Sequence, residues 1–134
     1  MVGAQTLSRK ARAFAQYQTL ELNSRLESAD PHRLVAILYE ELLGAVDVVA
    51  RALGRGQAIA SHSHFHRANS ILIALEASLD FSVGGLLSET LAGVYQGMRR
   101  ELAASGRTAD ADRLAALRLG IVSIKDAWAS LKSA

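Results

Sequence analysis

The sequence predicts an all-α fold, an antiparallel four-helix bundle preceded by a flexible or short-helical N-terminal segment. Three observations predict it. From residue 30 onward, apolar residues recur at spacings of three and four, which places them on one face of a helix. Capping residues and glycine clusters divide this region into four stretches of roughly 20 residues with short connections, which favours antiparallel neighbours. Half of the 134 residues are apolar but only 5% are aromatic. The core is therefore built mainly from Leu, Val, Ile and Ala, as suits helices packing on helices. No strand-like alternating run and no internal repeat appears.

Residues 1–29 are mixed and weakly patterned, and read as a tail or lid segment, with room for one short helix around residues 10–20. Asp30-Pro31 opens the bundle domain, residues 30–134. Aspartate accepts hydrogen bonds from the free N–H groups of a first turn, and proline at the first helical position has no N–H to leave unpaired. This helix is expected from Pro31 to about Leu53, stopped by Gly54 and Gly56. A second helix is expected from about Ala58 to Leu79, with Phe65, Ala68, Leu72, Leu75 and Leu79 on one face, ending before the turn signal Gly84-Gly85. A third is expected from about Leu86 to Ala104, with Leu87, Leu91, Val94, Met98 and Leu102 as its stripe. Ser105-Gly106-Arg107 should break it. Thr108 should cap the fourth helix, with Asp110 and Asp112 near its positive end. The fourth stripe is the most regular: Leu114, Leu117, Ile121, Ile124, Trp128 and Leu131, the alternation of a bundle seam.

Bulk properties narrow the function classes. The 15 basic and 13 acidic residues leave a formal charge of +2, and the basic residues form no stripe. With no aromatic platform either, nucleic-acid binding has little support. The absence of cysteine excludes disulfides and thiolate metal sites. No apolar run approaches the roughly 20 residues of a membrane span, and no apolar stretch follows Arg9, Lys10 and Arg12 as a secretory signal requires. A cytoplasmic protein without membrane insertion is expected.

The search for catalytic chemistry ends empty. His62 and His66 share a helix face, but His64 points away and no third ligand joins them, so a zinc site is incomplete. Gly54-Arg55-Gly56 and Gly84-Gly85 follow no strand, so they are turns and not phosphate loops. Glu40 and Glu41 point about 100° apart and cannot act as an acid–base pair. No Glu-x-x-His pair of a di-iron bundle occurs. Neither an enzyme nor a cofactor is expected.

The first helix carries the most telling feature. On a helical wheel Leu34, Val35, Ile37, Leu38, Tyr39, Leu42, Leu43, Val46, Val48, Val49 and Leu53 span about 240°, whereas a surface helix shows a stripe of a little over 100°. Arg33, Glu40, Gly44, Asp47 and Arg51 form the polar strip, and Glu41 sits alone inside the apolar arc. The wheel leaves two readings open: a central helix buried on several sides, or an extra apolar groove for a partner.

One ordered set of residues resembles a known family. Tyr17-Gln18 precedes Ala29-Asp30-Pro31-His32-Arg33-Leu34 and Ile37-Leu38-Tyr39-Glu40. Ala68-Asn69, Leu79-Asp80, Gly84-Gly85, Leu91, Tyr95, Met98 and a late Trp128 follow. The set resembles FliS, the family of flagellar secretion chaperones, from about Tyr17 to Leu131. It departs from that pattern at Leu20, where many members carry Asn, and at Glu41, where the usual step ends in glycine.

The resemblance implies a cytoplasmic bundle that binds the disordered C-terminal segment of flagellin, prevents early polymerisation and assists delivery to the type III export apparatus. It also implies an N-terminal tyrosine segment that covers part of the cargo site. Export-gate and anti-sigma-factor partners are within its scope, as is a monomer or weak homodimer. Together with the apolar arc it favours a groove, and implies flagellin contacts at Tyr17, Leu20, Leu34, Leu38, Tyr39, Leu42, Val46, Leu91 and Tyr95. The alternative is a non-catalytic helical adaptor, or a FliS-like paralogue with another cargo, that self-associates through the first helix.

Overall fold

Asp30 opens the first helix in the computed structural model, which describes residues 30–131. Its carboxylate accepts the Arg33 N–H at 2.7 Å and its carbonyl the Leu34 N–H at 2.9 Å, the capped first turn that Asp-Pro dictates. Four helices follow: α1 (Pro31–Gly54), α2 (Ser63–Ala77), α3 (Phe81–Thr108) and α4 (Ala111–Ser130). No strand occurs among the described residues. The compact unit begins at Val35. Before it, the described residues are Asp30–Leu34, the capped turn itself. The expectations for residues 1–29, including Tyr17 and Leu20, lie outside the described residues.

Within the compact unit α1 is the central element. Ile37, Tyr39, Leu42, Ala45, Val46, Val49 and Ala52 are buried. Each of the other helices is tied to it by a named side-chain contact. Glu41 pairs with Arg67 of α2 at 2.9 Å, which explains a carboxylate inside an apolar arc. The Tyr39 and Tyr95 hydroxyls of α1 and α3 share a buried hydrogen bond of 2.6 Å. Asp47 accepts from Arg118 Nε of α4 at 2.5 Å, and the Trp128 indole meets the Tyr39 ring edge-on at 6.2 Å. As α1 advances from Tyr39 to Asp47, its partners on α4 run back from Trp128 to Arg118. The two helices are therefore antiparallel. Contacts with the other three helices account for the buried part of the apolar arc; Leu34, Val35, Leu38, Leu43, Val48 and Leu53 are half-buried.

The helix boundaries differ from the expected ones in three places, each for a physical reason. First, α2 starts at Ser63 and not near Ala58. His62 is its cap, with Nδ1 accepting the His64 N–H at 3.1 Å, and Ile59 anchors the preceding loop at 2% exposure. Second, the α2–α3 turn falls at Ser78–Asp80, not at Gly84-Gly85. Asp80 caps α3 by accepting the Ser82 N–H at 3.0 Å and its hydroxyl at 2.6 Å. Gly85, at φ 53°, then kinks the helix instead of ending it, a conformation open to glycine and strained for other residues. Third, α3 runs through Gly106 to Thr108. A Cβ on Gly106 would lie 2.9 Å from two Phe65 ring carbons, so this glycine serves close helix packing. The stop is Ala109 in the left-handed region, and Asp110, not Thr108, caps α4 through the Arg113 N–H at 3.0 Å.

The predicted seam of α4 is largely in place. Leu114, Leu117 and Ile121 are buried, Ile124 and Trp128 pack against the core, and Leu131 is exposed just past the helix end.

Candidate functional site

The buried row of α3 is shifted from the expected stripe and shares Leu102 with it. The row facing the core is Ser88, Ala92, Tyr95 and Leu102, all buried. This row reads as weakly apolar in sequence because it contains Ser, Ala and Tyr, yet the Tyr95 hydroxyl must point inward to reach Tyr39. Of the expected stripe, Leu102 is buried and Leu91 and Met98 pack against the core, whereas Leu87 and Val94 face away from it. Leu91 and Met98 are half-buried, Val94 is 36% exposed and Leu87 54%.

Val94 and Met98 border a groove between α3 and α4 of ≈ 370 Å³. Val94, Gly97, Met98, Arg100 and Glu101 line one side and Ala116, Leu117 and Gly120 the other. Small residues keep it open. A Cβ at Gly120 would first meet the Met98 methyl, 3.8 Å away, and one at Gly97 the Arg100 guanidinium, 3.7 Å away. One rim is polar, with Glu101 held by Arg113 of α4 at 3.2 Å. An apolar floor and a charged rim suit an amphipathic segment laying its apolar face into a helix–helix groove.

A larger cleft, ≈ 610 Å³, separates α2 and α3 and is lined by Asn69, Glu76, Gln96, Arg99, Arg100 and Ala103. Its polar groups engage one another. Gln96 Nε2 donates to Glu76 at 2.8 Å, and Arg99 lies 3.5 Å from the same carboxylate. The cleft reads as a polar seam that holds the two helices in register.

The expected contact residues divide by burial. Tyr39, Leu42, Val46 and Tyr95 lie in the core at 0–2% exposure and present no surface in this conformation. Burial, reinforced by the hydrogen bond with Tyr95, holds the Tyr39 phenol far above its ordinary pKa, and burial likewise raises that of Tyr95. Both stay neutral at ordinary pH, consistent with structural roles. Leu34, Leu38 and Leu91 are half-buried. Among the described residues the large hydrophobics that remain exposed are Ile73, Phe81, Val83, Leu86, Leu87, Val94, Leu119 and Leu131. None is on α1, and four of them cluster at the start of α3. Sequence spacing reads Leu86 as a helix start and Leu87 as the first residue of its apolar stripe; in the structure both are surface.

No group of three or more potential metal ligands occurs among the described residues. None of the described helices is long and apolar enough to cross a membrane.

The family profile described as flagellar protein FliS matches residues 13–134. The flagellar secretion chaperone FliSB of Pseudomonas aeruginosa is 26% identical over 117 residues, covering 87% of this chain and 93% of that protein. The flagellar secretion chaperone FliS of Salmonella typhimurium is 28% identical over 122 residues, covering 88% of each. The chain belongs to the FliS family of flagellar proteins.

Proposed function

We propose that this protein is a cytoplasmic export chaperone. It holds the disordered C-terminal segment of flagellin, keeps it from polymerising early and assists its delivery to the flagellar type III export apparatus, without catalysis. The observation that carries the proposal is the open α3–α4 groove, apolar in its floor and bordered by a row of incompletely buried Leu, Val and Met side chains. Disordered cargo loses chain entropy on binding, so it needs apolar contact of this kind to offset the loss. Family membership and the two secretion-chaperone relatives support the cargo class.

In this reading Leu91 contacts cargo directly, with Leu38 offering further half-buried surface on α1. Tyr39, Leu42, Val46 and Tyr95 support the contact surface from beneath. Export-gate and anti-sigma-factor contacts belong to the same proposal.

The test is binding of full-length flagellin and of flagellin lacking its C-terminal segment, measured by calorimetry with the wild-type chain and with Val94→Asp. Tight binding to the full-length cargo, lost on truncation and lost with Val94→Asp while the helical circular dichroism is unchanged, is the expected result. Undiminished affinity for truncated flagellin overturns the proposal. A stable homodimer that captures no flagellin points instead to a self-associating adaptor.

A further inference from the structure

The start of α3 has a composition found nowhere else in the described chain. Between Glu76 and Arg99 it carries two charges, Asp80 and Glu89, both carboxylates and both exposed. Beside them stand Phe81 at 52% exposure, Val83 at 84%, Leu86 at 77% and Leu87 at 54%. This corner is braced. Asp80 holds the Ser82 N–H and hydroxyl, and the Ser88 hydroxyl donates to the Asp80 carbonyl at 3.1 Å. A Cβ on Gly84 would collide with that Ser88 hydroxyl, so the glycine lets the corner close on itself. A hydrogen-bonded corner thus presents four large apolar side chains to solvent, the kind of patch that marks a docking surface.

Area, continuity and charge identify the occupant. The four side chains expose on the order of 400 Å², about half of what each partner contributes to a stable protein–protein interface. A second copy of this chain is therefore a poor fit and a short segment a good one. Leu87 is also the first residue of the row Leu87, Leu91, Val94, Met98, whose last two members line the α3–α4 groove. Eleven helical steps lead from Leu87 to Met98, about 16 Å along the axis. A segment seated in the groove reaches the corner by continuing along α3. Two carboxylates without a neighbouring base along this stretch favour positive charge on that segment.

We propose that the Phe81–Leu87 corner is a second docking surface for the export segment seated in the α3–α4 groove, and that it takes a stretch combining apolar side chains with Lys or Arg. The proposal rests on the chaperone reading above and adds to it the path and chemistry of the bound segment.

The experiment is titration calorimetry of the full chain with the C-terminal segment of the cognate flagellin. It compares wild type, the double variant Val83→Ser/Leu86→Ser, Glu89→Lys and the groove variant Val94→Asp. These side chains are exposed, so circular dichroism and Tm are expected to stay at wild-type values. The double variant should lose affinity about tenfold or more. Glu89→Lys should lose about threefold at low salt, with the difference vanishing near 0.5 M NaCl as screening sets in. Wild-type affinity in both corner variants overturns the proposal. If Val94→Asp alone loses binding, the groove reading stands and the corner proposal falls; if no variant loses binding, both fall. Corner variants that keep cargo affinity but abolish self-association in sedimentation identify a dimer contact and also overturn it.

Discussion

The buried hydroxyl pair Tyr39–Tyr95 offers a test whose sign is as informative as its size. The two oxygens are 2.6 Å apart, at the short end for such a bond, and both rings are at most 2% exposed. Tyr39→Phe removes one partner and leaves the Tyr95 hydroxyl buried and unpaired. Tyr95→Phe does the reverse. Each single change should cost about 1–2 kcal/mol, the penalty of an unsatisfied buried hydroxyl, which is about 3–6 °C in Tm for a chain of this size. The double change Tyr39→Phe/Tyr95→Phe removes donor and acceptor together. It should be no worse than the worse single variant, giving a favourable coupling of roughly 1 kcal/mol or more.

The assay is urea unfolding followed by far-ultraviolet circular dichroism and by the fluorescence of Trp128, which packs against Tyr39. Additive losses, with the double variant the least stable of the three, would refute the idea that the hydroxyls mainly satisfy each other. A loss of flagellin binding in the single variants with no loss of stability would refute the core assignment of these tyrosines and return them to the cargo surface.

Two further predictions use other sites. Gly106→Ala should destabilise the protein by about 1–3 kcal/mol despite alanine's better helix propensity, because Phe65 must move, whereas Gly93→Ala, whose Cβ meets nothing within 4 Å, should stabilise it by about 0.5–1 kcal/mol; thermal melts check both, and equal signs refute the packing argument. Desolvation, with His62 and Arg67 adding positive charge, lowers the His64 pKa below its ordinary 6.5. The unfolded chain therefore binds more protons between the folded value and 6.5, so stability should fall on acidification through about pH 6.5, and His64→Gln should reduce that slope.

The sequence disclosed the fold where local chemistry and burial agree. Asp30-Pro31 is both a capping pair and the true start of α1, and the α4 row of Leu114, Leu117 and Ile121 is both apolar and buried. It disclosed less where tertiary contact decides. Gly106 reads as a helix breaker until Phe65 is seen against it. Gly84-Gly85 reads as a turn until Asp80 is seen capping upstream. The core row of α3 escaped notice because Ser88 and Tyr95 look polar, and both face inward, Ser88 to the Asp80 carbonyl and Tyr95 to Tyr39. The candidate site is legible only in part. Leu91 on α3 is among the expected contacts, but Leu87 and Val94 read as members of one stripe with the buried Leu102, and the breadth of the α1 arc, whose buried part serves three neighbouring helices, draws attention to α1.

The central position of α1 bears on how the chain is made. Its ties reach forward by 26, 56 and 71 residues, to Arg67, Tyr95 and Arg118. During synthesis the first bundle helix to leave the ribosome is thus the last to be fully covered, and its Leu, Val and Ile side chains stay wet until α4 emerges. A chain cut short before Trp128 keeps that surface open, so premature termination should yield an aggregation-prone fragment and not a smaller working protein.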